Sequence, residues 1–164
     1  LPLALANPKD LRARYFLLYA SMIAGICFDN GLLHFTHALE HPLSAMKPEL
    51  AHGLGLAMIV PAVVREIYPA VSDVLASVLA PIVGPVKGVP EEASDVARKF
   101  ESWLFSVGVT KKLKDEGFTE EKIGRLVHLT RRTPSLDGLL SLAPVASDDA
   151  AVARIYRTSL APLA

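Results

Sequence analysis

At 164 residues the chain is long enough for one domain with a real core, and 51% apolar residues with a positive mean hydropathy make it greasy. Seventeen basic residues balance seventeen acidic ones and no basic block stands out, so nucleic-acid binding has no electrostatic support. A single cysteine, Cys27, excludes an internal disulfide and fits a reducing compartment, so a cytoplasmic location is expected.

No membrane span is expected. The longest apolar runs, residues 54–64 and 74–86, fall short of the roughly 18 residues required, and prolines interrupt both. The apolar opening, residues 1–6, has no positive n-region and is too short for a signal peptide. The chain starts with Leu rather than Met and is expected to be a piece of a longer protein. Its excess apolar surface would then face a missing domain or a partner subunit, and a homo-oligomer is expected.

Helical periodicity dominates, and no alternating strand pattern is bounded by hairpin turns. Asn7-Pro8 reads as an N-cap with proline at the first helical position and predicts a helix over residues 12–27. That helix carries Leu11, Phe16, Leu17, Met22, Ile23 and Ile26. From Tyr15 onward it is apolar nearly all round, the pattern of a buried central helix. Asp29-Asn30-Gly31 breaks it, and a second helix follows over 32–41, ending near Pro42. Lys47-Pro48 marks a loop. A third helix starts between 48 and 53 and runs toward Tyr68, with a kink near Pro61.

Beyond Tyr68-Pro69, residues 71–79 read as helix, and Pro81, Gly84, Pro85, Gly88 and Pro90 form a breaker-rich connection. Pro90-Glu-Glu begins an amphipathic helix through Trp103 to about Val107, stopped by Gly108. A short helix over 111–116 ends at Gly117. Thr119-Glu-Glu opens a helix to about Arg132, and Ser147-Asp-Asp opens the last, through Tyr156 to Leu160. Both place a hydroxyl cap before acidic first-turn residues, which complement the helix dipole. The fold class is therefore all-α, a multi-helix bundle read as one domain over 1–164, with candidate site helices in 1–70 and a C-terminal helical subdomain in 71–164.

The chemistry concentrates in the histidines. Four of the five lie within nineteen residues, as His34, His37, His41 and His52. Imidazole is the commonest protein metal ligand and titrates near neutral pH. On one helix His34, His37 and His41 fall within an arc of roughly 60°. His52 follows a turn and returns to the same spot if the two helices are antiparallel neighbours. Two helical imidazoles plus one from a neighbour make a partial shell for Fe²⁺ or Zn²⁺. The bland alternative is a bundle core containing hydrogen-bonded histidines. HxxxH alone is a weak signal, and Ala38 after His37 argues against a zinc protease, which needs Glu there. Glu40 is read as pointing to a different face.

Four elements in order carry a more specific pattern: Ala24-Gly-Ile-Cys-Phe-Asp-Asn30, His37-Ala-Leu-Glu-His41, His52-Gly53, and Ala57 with Pro61-Ala-Val. They resemble the iron-containing (group III) alcohol dehydrogenases. Val107-Gly-Val-Thr with Leu113, and Ser147-Asp-Asp with Ile155-Tyr-Arg157, extend the resemblance over most of the chain. The resemblance implies the dehydroquinate synthase-like helical domain of such an enzyme, without the N-terminal Rossmann-like domain. It implies His37 and His52 as metal ligands, His41 as the histidine beside the metal that handles the alcohol proton, and Phe28 as a lining of the substrate pocket. His34 stands where the family's common pattern has Gly and is expected to be packed; His128 is expected on an ordinary helix surface.

The implied chemistry is NAD(P)-linked interconversion of alcohols and aldehydes or ketones. It uses a divalent metal, usually Fe²⁺ and sometimes Zn²⁺. The nicotinamide cofactor, NAD or NADP, would be bound mainly by the absent nucleotide-binding domain. Family proteins also supply an Asp and a His one turn apart upstream, and residues 1–36 contain no Asp-x-x-x-His. The cluster is thus expected to be half of a metal shell, and the isolated chain is expected to be inactive. The alternatives are a maleylacetate reductase or hydroxyacid dehydrogenase of the same superfamily, and a non-enzymatic metal-binding helical module.

Overall fold

Nine α-helices and three 3-10 turns, with no strand, make up the chain. The structure is a computed structural model that describes residues Leu1–Ala164. In chain order the helices are α1 (Pro2–Ala6), α2 (Leu11–Asn30), α3 (Phe35–Met46), α4 (His52–Ile67), α5 (Ser72–Val83), α6 (Ala93–Ser106), α7 (Glu120–Arg132), α8 (Leu136–Leu140) and α9 (Asp149–Thr158). They fall into two compact units, Leu1–Leu33 and His34–Ala164.

The first unit holds α1 and α2. Asp10, rather than Asn7-Pro8, caps α2: its Oδ1 accepts from the backbone N–H of Arg12 at 2.9 Å and of Ala13 at 3.1 Å. The helix runs to Asn30, whose side chain donates to the Ile26 carbonyl at 2.9 Å. The expected buried central helix is not found, because no residue of α2 is buried. Leu11, Tyr15, Phe16, Leu18 and Met22 are all exposed. A helix apolar on every side needs cover on every side, and the first unit does not provide it.

The expectation of no membrane-length segment also changes. By length and composition α2 and the stretch His52–Ala70 are both apolar enough to cross a membrane, although half of the latter is buried inside the protein. Isolated Gly and Ser interrupt an apolar run without lowering the average over a full span.

In the second unit, α3 starts at Phe35 and not at residue 32. His34 is its N-cap, in extended backbone, and so stands outside the helix that carries His37 and His41. The helix also passes through Pro42, where the sequence suggested an end. An interior proline costs about 3 kcal/mol. Leu39 and Leu43 on either side of it are fully buried, and each contributes about 1.5–3 kcal/mol of burial. Packing therefore carries the helix across the break. The same holds for Pro61 in α4 and for Pro81 in α5, which runs on to Val83.

Two apolar clusters form the core. The larger joins Phe35, Leu39 and Leu43 of α3 to Met58 and Ile59 of α4, Leu126 of α7, Leu140 of α8 and Ile155 of α9. The smaller joins Val64 and Tyr68 to Leu79 and Val83 of α5 and Val96 and Ala97 of α6. Helix α4 contributes to both, so residues on either side of position 70 share one packed body.

The later elements follow the sequence closely. Pro90–Glu92 forms a 3-10 turn leading into α6, and Leu113–Glu116 is a 3-10 turn rather than an α-helix. Gly108 and Gly117 take φ of 89° and 82°, the left-handed region glycine tolerates. Asp148, not Ser147, caps α9 through the Ala151 N–H at 2.8 Å. The short α8, anchored by buried Leu136 and Leu140, has no sequence signature long enough to show periodicity.

Candidate metal centre

Helix α3 places His37 and His41 one turn apart. The loop after Met46 reverses the chain, and His52 is the first residue of α4. Because Leu39 and Leu43 of α3 share a core with Met58 and Ile59 of α4, the two helices pack and His52 arrives beside the other two. One ring nitrogen from each of His37, His41 and His52 lies within 4.8 Å of the others. The ring centroids of His52 are 5.2 Å from those of His37 and 5.7 Å from His41, and His37 and His41 are 6.5 Å apart.

This geometry fits a metal. Nδ1 of His37 and Nε2 of His52 are 3.2 Å apart. Two nitrogens each about 2.0–2.1 Å from a tetrahedral ion would lie about 3.3 Å from each other. Burial, then the neighbouring His52 and His41, hold the His37 imidazole below its ordinary pKa. At neutral pH it is therefore uncharged and can offer a lone pair. His37 and His41 are half-buried and His52 is exposed, which leaves one side of the cluster open.

Of the remaining candidates in the second unit, His34 and His128 do not join this cluster. His34 caps α3 without a side-chain cap bond, and burial lowers its pKa as well. Phe28 lies on α2 in the first unit and is exposed. His128 is exposed on α7, as expected.

The sequence missed Glu40. It was read as facing away, yet it is fully buried and its Oε2 contacts His52 Nδ1. Three residues on from His37, it is turned only about 60° from that side chain. Its Oε1 accepts a hydrogen bond from Ser44 Oγ at 2.7 Å. Gly55 of α4 lies against it so closely that a Cβ there would sit 2.5 Å from Oε1. Behind Glu40, the buried Tyr156 hydroxyl donates to the Leu39 carbonyl at 2.6 Å and lies 3.0 Å from Thr130 Oγ1. Burial raises the Tyr156 pKa, so the phenol stays protonated and keeps α9 and α7 tied to α3. A polar pair at i and i+4, Glu40 and Ser44, flanking the histidines was the available signal.

Residues 1–160 match the family model described as Fe-containing alcohol dehydrogenase family, C-terminal. The long-chain primary alcohol dehydrogenase AdhA of Thermoanaerobacter ethanolicus is 64% identical over 159 residues, which are 97% of this chain and 40% of that protein. The human mitochondrial hydroxyacid-oxoacid transhydrogenase is 27% identical over 176 residues, covering 96% of this chain and 36% of that protein. Among solved structures, the NADH-dependent butanol dehydrogenase A of Thermotoga maritima superposes with a TM-score of 0.80 at 26% identity, covering 98% of this chain and 42% of that one. The chain thus spans about two-fifths of the length of these relatives. With the helical fold, the histidine cluster and the family match over nearly its whole length, the chain belongs to the Fe-containing alcohol dehydrogenase family and corresponds to its C-terminal helical part.

Proposed function

We propose that this chain is the metal-holding helical part of an NAD(P)-linked alcohol dehydrogenase, with His37 and His52 as ligands. The observation that carries the reading is the convergence of ring nitrogens from His37, His41 and His52 within 4.8 Å. When bound, the divalent metal, Fe²⁺ or Zn²⁺, supplies Lewis-acid polarisation of the carbonyl or alkoxide oxygen, and the nicotinamide gives or takes the hydride. The remaining ligands and most of the nicotinamide site belong to the part of the enzyme outside this chain. His41 touches the cluster from the same face of α3 and carries the alcohol proton as acid or base. Phe28 is assigned to the substrate pocket on the family resemblance alone.

Identity of 64% to an enzyme named for long-chain primary alcohols, against 27% to a hydroxyacid-oxoacid transhydrogenase, favours a primary alcohol over a hydroxyacid as substrate. The exposed apolar surface of α2 supports association into a homo-oligomer, which light scattering would test. A cytoplasmic location remains part of the proposal.

Elemental analysis tests the metal assignment. The purified chain should carry Fe or Zn, and His37→Ala or His52→Ala should lose it. His41→Ala should keep most of it. Retention of metal in both ligand variants would refute the assignment. Alcohol oxidation with NAD(P) by the isolated chain would refute the division of the site between this chain and an absent part.

A further inference from the structure

We propose that Glu40 is a positioning residue that fixes the tautomer and orientation of His52. This rests on the metal-site reading for its consequence, but the tautomer itself does not depend on a metal. His52 uses its two ring nitrogens in different directions. Nδ1 meets Glu40 Oε2, while Nε2 faces His37 Nδ1 and the cluster. A carboxylate accepts and does not donate, so it selects the Nδ1–H form and leaves the lone pair on Nε2. That is the nitrogen a metal would need.

Burial and packing confine the carboxylate. It has no solvent exposure, and a buried carboxylate persists only where partners satisfy it. Ser44 Oγ satisfies Oε1 at 2.7 Å. Oε2 has no hydrogen bond of ordinary geometry and lies against Nδ1 of the His52 ring. Gly55 lies against the same side chain, and any Cβ there would drive Oε1 from its place. Glu40 sits on α3 and His52 on α4, so the pair also sets the register between the helices that carry the histidines.

Long-range ¹H–¹⁵N correlation spectra of the metal-free chain above neutral pH read the tautomer directly. His52 should be Nδ1–H in the native chain, and Glu40→Gln, nearly isosteric, should shift it toward Nε2–H. A Co²⁺ titration of the same proteins should show Glu40→Gln binding about 10–100-fold more weakly. An Nε2–H tautomer in the native chain would overturn the proposal without any variant. So would a Glu40→Gln chain with unchanged tautomer and unchanged Co²⁺ affinity. If the native chain binds no Co²⁺, the metal reading above fails while the spectra still decide the role of Glu40.

Discussion

Replacing Gly55 with Ala separates intrinsic helix preference from the packing around Glu40. Gly55 lies within α4 and has no positive φ, so Ala is compatible with its backbone. On propensity alone the change should stabilise the helix by about 1 kcal/mol. The surroundings oppose it. The new Cβ would lie 2.5 Å from Oε1, 2.9 Å from Cγ and 3.0 Å from Cδ of Glu40, against 3.4–4 Å for ordinary contact. Glu40 has no exposed path along which to retreat. Overpacking costs about 1–3 kcal/mol, and disturbing hydrogen bonds to a buried charge adds about 1.5–3 kcal/mol. The net expectation is a loss of about 1.5–5 kcal/mol.

Gly124, exposed in α7 with nothing within 4 Å of a built Cβ, is the control, and Gly124→Ala should gain about 0.5–1 kcal/mol. Urea denaturation followed by circular dichroism measures both. Combining Gly55→Ala with Glu40→Ala should cancel most of the Gly55 penalty, a coupling a double-mutant cycle isolates. Equal gains from Gly55→Ala and Gly124→Ala would show that the carboxylate does not occupy the space assigned to it.

The remaining predictions concern the scaffold. Lys112 and Glu101 form a buried ion pair at 2.6 Å, with Lys112 Nζ also donating to the Met58 carbonyl at 3.1 Å and Glu101 accepting from the Leu163 N–H at 2.7 Å. Lys112→Met alone strands a buried carboxylate and should cost about 3–5 kcal/mol, whereas Lys112→Met with Glu101→Leu should recover much of it. Thermal or urea unfolding of the three proteins reads the difference. Tyr156→Phe removes the phenol hydrogen bond to Leu39 and should cost about 1–3 kcal/mol, read as a lower urea midpoint. Hydrogen bonds from Lys111 and Lys47 hold the Glu116 carboxyl below its ordinary pKa of 4.5. Its folded pKa is the lower one, so the stabilisation is present above the unfolded value and disappears as pH falls through the folded value. Glu116→Gln should therefore flatten the acid side of the stability–pH profile, and, because Glu116 also raises the Lys111 pKa, weaken the alkaline loss while leaving the profile near neutrality flat.

What the sequence revealed and what it hid divide along physical lines. His37, His41 and His52 were legible because helix periodicity and a short loop are local rules, and a family pattern spans all three positions. Glu40 was hidden because its partner, His52, lies on another helix, and only the packing of α3 on α4 shows that a charged residue can be fully buried there. Helix ends at Pro42 and Pro81 were misplaced for a related reason: a local rule predicts the break, and burial of Leu39, Leu43 and Val83 overrides it. The case of α2 runs the other way. Its all-round apolar character reads as a buried helix, yet burial is a relation between surfaces, and no residue of α2 is buried in the first unit. The histidine cluster obeys the same logic. Three imidazoles and a buried carboxylate are brought together by contacts within residues 34–164, so the cluster should keep its geometry in the isolated chain.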